Sequence, residues 1–262
     1  MHPWRPAIIA GVIAVLGTGA TPAAPAKDKA RQNYAIVVHA DSAQSLADEK
    51  EVHDAVMAMR DGKVQEAIDG PLTDVVNRYE KAYGKSKDAV FSARNPGQGM
   101  MYMTFEATKY IAGAGNGSGK AIDVGPAWAK AYWARGYGYS ELKRFPEAEA
   151  ELAKAIALSP RDAQFVGELA YVYQMEHRFA DSLALFQKVP EFIETMEDWD
   201  EATKTEFRCK AFRGQGYDLV ELHRLDEAEK AYQSCIALIP GEPKSLGELE
   251  YIKGLRAKEA KQ

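Results

Sequence analysis

Two stretches in the second half of the chain are versions of one another, and that repetition limits the fold more than any other feature. Gly136 to Pro160 reads GYGYSELKRFPEAEAELAKAIALSP, and Gly216 to Pro240 reads GYDLVELHRLDEAEKAYQSCIALIP. Aligned at an offset of 80 residues they share Gly, Tyr, Glu-Leu, Arg, Glu-Ala-Glu, Ile-Ala-Leu and a closing Pro. Their apolar residues recur at helical spacing on either side of a polar turn. A unit this small cannot bury its apolar face alone, so copies must stack to make a core.

Each segment resembles the tetratricopeptide repeat, a helix-turn-helix of about 34 residues with small and aromatic residues at fixed places and a closing proline. In a first repeat, residues 129–162, Tyr132, Gly136, Tyr139, Ala148, Leu152 and Pro160 take those places. A second, 163–190, supplies Val166, Leu169, Ala170, Tyr173, Ser182 and Phe186 before Pro190 cuts it short. A third, 209–242, supplies Phe212, Gly216, Leu219, Ala228, Tyr232 and Pro240. The small residues fall where two helix backbones approach most closely, and larger ones would push them apart. The pattern is broken in places. Arg135 stands for a leucine, Lys143, His177 and His223 stand for the turn glycine, and residues 190–208 exceed a normal junction. They require a lengthened helix or a protruding loop.

The expected fold class is therefore all-α, a solenoid of such hairpins over 124–243. Residues 244–262 carry Leu246, Leu249, Ile252 and Leu255 as one apolar stripe, which suits a capping helix started by Pro243 and Ser245. Residues 27–123 read as an N-terminal helical region. Within it, Asp61 to Ile68 looks like the turn and second-helix start of a degenerate repeat, and Gly70-Pro71 calls for a kink or a break. No convincing strand pattern is present beyond Ile36-Val37-Val38.

Residues 1–26 read as a signal peptide: Arg5, an apolar run from Ala7 to Gly17, then small residues offering cleavage after Ala20 or Ala26. A spanning helix needs about 20 apolar residues, more than this run has. The expected location is periplasmic or secreted, with no stable membrane insertion after cleavage. Cys209 and Cys235 are then candidates for an intrarepeat disulfide, or else small buried residues standing in for alanine.

Chemistry is sought and not found. The glycine-rich stretch 112–120 has Ala114 and Ala121 where a phosphate-binding loop needs Gly and Ser or Thr, and reads as a linker. The five histidines form no zinc-binding spacing, and no nucleophile elbow exists. No enzyme activity, cofactor or metal is expected. A formal charge of -5 lacks the basic footprint of nucleic-acid binders.

The resemblance implies a protein or peptide partner lying on a concave side lined by the first helices. Its groove positions fall on Lys130, Trp133 and Tyr137, then Tyr171 and Gln174, then Lys210, Arg213 and Tyr217. Tyrosine recurs at the equivalent place in all three repeats, as Tyr137, Tyr171 and Tyr217. Aromatic faces beside cations and amides suit a peptide with apolar groups and a carboxylate, although the tyrosines would also serve as packing between helices. Two other readings remain: a structural subunit of a cell-envelope complex, and a small-molecule binder or enzyme using residues 34–120.

Overall fold

The computed structural model describes residues 34–39, 42–114 and 119–259. The proposed signal peptide lies outside them. No helix among the described residues is long and apolar enough to cross a membrane.

Helical hairpins dominate. The first pairs α1 (Ala43–Arg60) with α2 (Val64–Ala67) and α3 (Thr73–Tyr83), the last two joined by a wide helical turn over Ile68–Leu72. The kink called for at Gly70-Pro71 is there: Gly70 leaves helical geometry at φ -100, ψ -106, and Pro71 has no N–H to continue the ladder. Then come α5 (Ala127–Glu141) with α6 (Phe145–Leu158), α7 (Ala163–Met175) with α8 (Phe179–Phe186), and α10 (Glu201–Glu221) with α11 (Leu225–Leu238).

All four hairpins turn in the same way. Gly62 N–H bonds the Met59 carbonyl and Lys63 N–H that of Ala58; the same pair of bonds recurs at His177 and Arg178 with Gln174 and Tyr173. The turn residue is left-handed each time, Gly62 at φ 85 and Lys143, His177 and His223 at 58, 59 and 58. Three of them accept a conformation that glycine takes at no steric cost. The small-residue positions also do what the repeat needs. A Cβ added to Gly136 would stand 2.6 Å from Leu152 Cγ, and one added to Gly216 would stand 2.6 Å from the Tyr232 ring.

Residues 190–208 resolve into both a short helix, α9 (Val189–Ile193), and a two-turn extension at the start of α10, capped by Asp200 accepting from Thr203 N–H. Cys209 therefore sits two turns inside α10 rather than at its beginning. The last helix, α12 (Pro243–Glu259), covers α11 with Leu249, Ile252 and Leu255. Leu246 does not join them and is 45% exposed, because the inward stripe runs through Ser245, which is fully buried. Glu242, not Ser245, caps this helix, its carboxylate accepting from Ser245 N–H at 2.6 Å.

The N-terminal region is not purely helical. Strands β1 (Ala35–Val38), β2 (Ala89–Phe91) and β3 (Lys120–Asp123) make a parallel sheet in the order β1-β3-β2. Segments of three or four residues are too short to show an alternating pattern in sequence. Helix α4 (Pro96–Ile111), capped by Asn95, makes the crossover from β2 to β3.

This region is bolted to the repeats. Arg94 is 7% exposed and grips the fully buried Asp162 through two nitrogens, at 2.7 and 3.3 Å, with Gln164 at 2.7 Å. Its guanidinium also lies over the rings of Phe165 and Trp199. Asn95 and Gln98 donate to Thr195, and Tyr102 bonds Ser159 and Arg161 N–H. The two segments that depart most from the repeat pattern thus brace one another across the start of α7.

Candidate functional site

The first helices of the four hairpins, α1, α5, α7 and α10, surround a cavity of 220 Å³. Helical spacing brings Trp133 and Tyr137 of α5 onto one stripe, Gln164, Gly167, Glu168 and Tyr171 of α7 onto a second, and Phe207, Lys210 and Tyr217 of α10 onto a third. Val56 and Arg60 of α1 close the remaining side. The walls are largely aromatic and aliphatic, while Arg60, Glu168 and Lys210 bring charge.

The expected groove residues separate into two sets. Trp133, Tyr137 and Lys210 line the cavity. Trp133 is half-buried between Tyr137 and Phe165, with ring centroids 6.1 and 6.2 Å away, and its buried indole N–H has no acceptor among the described residues. Lys210 lies over the Phe207 ring. Tyr171 and Tyr217 continue the α7 and α10 stripes and are 39% and 38% exposed. Tyr217 also sets its ring against the edge of Phe179, so part of it serves packing.

The others are engaged elsewhere. Lys130 bonds Glu49 of α1 at 2.6 Å. Arg213 turns to Glu242 ahead of α12, at 3.2 Å. Gln174 is buried and donates to the Gly214 carbonyl and to Asp218, at 3.1 and 2.9 Å. Gln174 and Arg213 are therefore internal ties, and neither is a groove residue. A stripe position gives direction but not partners, and here the next helix supplies an acceptor within reach. Sequence reasoning missed Val56, Arg60, Gly167, Glu168 and Phe207. Glu168 was within its reach, being three residues before Tyr171 on the same stripe.

Glu168 has no ion pair or hydrogen bond among the described residues. Burial pushes its carboxyl pKa up, Lys210 pulls it down, and Glu141 adds to the rise. Burial likewise raises the Tyr137 hydroxyl, helped by Glu141 and Glu168.

Behind the tyrosine stripe lies a closed polar cluster. Asp218 is fully buried and accepts from Ser182 Oγ at 2.7 Å and from Gln174, tying α10 to α8 and α7. Burial raises its pKa to about 6, outweighing those two donors. The folded state then holds the proton more tightly than the unfolded chain. The stabilisation this gives is full below the ordinary carboxyl range, about pH 4, and is lost as pH rises through about 6. Asp218→Asn keeps the neutral form at every pH. It is expected to match the native protein near pH 4 and to exceed it by about 1–2 kcal/mol at pH 8. Urea unfolding at the two pH values measures the difference; equal gaps at both would refute it.

Cys209 and Cys235 are joined by a disulfide, Cα–Cα 4.3 Å, at the α10–α11 interface. Glu242 stands with them as a group that could hold a metal. In the bonded state the sulfurs offer no thiolate, and the Arg213 cation already occupies the carboxylate.

The second half is an all-helical solenoid of hairpins whose turn residues Lys143, His177 and His223 lie 34 and 46 residues apart, with small residues at the close contacts, an arrangement similar to that of tetratricopeptide repeats. No family model matches the chain, and no curated protein matches it. Solved structures do. One is the first TPR of Spaghetti (RPAP3) bound to the HSP90 peptide SRMEEVD, 20% identical, covering 49% of this chain and 93% of that one, with a TM-score of 0.42. The N-terminal domain of stress-induced protein-1 from C. elegans is 22% identical, over 48% and 94%, with a TM-score of 0.42. The second TPR domain of human RPAP3, in complex with the HSP70 peptide SGPTIEEVD, is 20% identical, over 47% and 92%, with a TM-score of 0.39.

Proposed function

We propose that the face shared by α1, α5, α7 and α10 binds an extended peptide or a helix of a partner protein, and that the chain is an exported scaffold without enzymatic activity. The observation that carries this is the continuity of one surface. Tyr137, Tyr171 and Tyr217 run along three adjacent helices, and the cavity opens beside them. Partly exposed aromatics on rigid helices bring large contact area at small entropic cost, as interface hot spots do. Export is supported by the apolar leader-like run and by a disulfide of the kind that persists in oxidising compartments.

The test is Tyr171→Ala with Tyr217→Ala, in full-length protein expressed with its leader and cross-linked in place. Helical circular dichroism should be unchanged, and recovery of the partners held by the native protein should fall more than tenfold. Undiminished recovery would place the binding surface elsewhere.

A second reading has its own support. Met100, Phe105 and Ile111 of α4 are 55%, 53% and 81% exposed, large apolar side chains on two sides of the helix of the kind a permanent subunit contact in an envelope assembly would cover. Partners in fixed stoichiometry that survive the tyrosine replacements would favour it.

A further inference from the structure

Glycine in the middle of a helix is destabilising relative to alanine, so each one needs a reason. Helices α5, α7 and α10 contain Gly136, Gly138, Gly167, Gly214 and Gly216. Four have the same one. A Cβ at Gly136, Gly138, Gly214 or Gly216 would stand 2.5–2.9 Å from a side chain of the adjoining helix. Gly167 does not share it. A Cβ there would meet nothing closer than Val189 Cγ2 at 4.0 Å, and its backbone is ordinary helix. Neither packing nor conformation asks for glycine at this position. What a side chain would do is enter the cavity, whose α7 wall Gly167 forms.

We infer that this cavity is a socket for one large apolar side chain of a bound peptide, and that Gly167 keeps it open. The inference rests on the peptide-binding reading and names what that surface selects. The size fits: a cavity on the order of 150 Å³ holds a benzene ring, whereas sites for drug-sized molecules and cofactors run from roughly 300 Å³ upward. At 220 Å³ this one takes an aromatic or branched aliphatic side chain with little to spare. Most of its lining agrees, with Trp133, Tyr137, Phe186, Phe207 and Val56 around the space and Arg60, Glu168 and Lys210 adding a charged rim. Part of the socket comes from outside the regular repeats. Val56 belongs to the N-terminal hairpin and Phe207 to the extension of α10.

The test uses the full chain and a phage-displayed library of random dodecapeptides. Peptides selected on the native protein should share one large apolar residue, and alanine at that residue should weaken binding more than tenfold. Gly167→Leu fills the socket from within. It should melt about 2–4 °C higher, as a gain in helix propensity and apolar burial requires, while binding those peptides more than tenfold more weakly. Gly167→Ala adds only a methyl group, and should also melt higher but retain most of the binding. Equal binding by Gly167→Leu overturns the socket and leaves the peptide-binding face standing. A lower melting temperature for both variants shows that the space is not free, and overturns it as well. No selectable peptide on the native protein defeats both readings together.

Discussion

Replacing Arg94 by alanine is expected to destabilise the protein by about 3–5 kcal/mol, the range for removing one partner of a buried ion pair. The cost is high because the partner has nowhere to go. Asp162 is fully buried and would be left without its counterion. Asp162 also caps α7, accepting from Gln164 and Phe165 N–H at 3.0 and 3.2 Å, so Asp162→Ala should cost at least as much. The two changes share one interaction, and the double variant should therefore lose clearly less than the sum of the singles. Urea denaturation followed by circular dichroism measures all three. Strict additivity would mean that the pair contributes nothing, and that the N-terminal region is held by its other bonds alone.

Loss of the Cys209–Cys235 bond is expected to cost about 3 kcal/mol, as loop-closure entropy gives for cysteines 26 residues apart. Both sulfurs are fully buried, so the bond should resist mild reductant in the folded protein and yield only on unfolding. Thiol titration of unfolded, unreduced protein from the exported fraction should find no free thiol. Cys209→Ala with Cys235→Ala should fold, with a lower urea midpoint. Two titratable thiols in the exported protein would remove both the bond and one of the supports for export.

The sequence is most readable where the repeat unit repeats. Gly136 and Gly216, Leu152 and Tyr232, and the turn at Lys143, His177 and His223 all carry their contacts at fixed spacing, and each is in place. The kink at Gly70-Pro71 was legible because proline's missing N–H acts locally. Of the small sheet only β1 was legible, as Ile36-Val37-Val38: the strands are three or four residues long and pair across most of the N-terminal region. Arg94 was hidden for the same reason, since its partner lies 68 positions away in a junction between hairpins. Among the candidate site residues, Trp133, Tyr137 and Lys210 came from the groove positions that the repeat resemblance implies, which share one stripe of the first helix. Gln174 and Arg213 shared that geometry and were claimed by Asp218 and Glu242, which no local pattern discloses. Gly167 was visible as a letter, but its meaning depends on empty space.

The pairing of Ala35 with Lys120 has a consequence for the order of assembly during synthesis. Each repeat hairpin can close as soon as its second helix leaves the ribosome, because its contacts are with near neighbours in the chain. The sheet cannot. Strand β1 waits for β3, and the Arg94 grip waits longer, until Asp162 has been made. The N-terminal sheet region is thus made before the repeats and is among the last parts to be locked. During that interval the exposed strand and the unmated face of the first hairpin are the surfaces that a holding chaperone would need to cover.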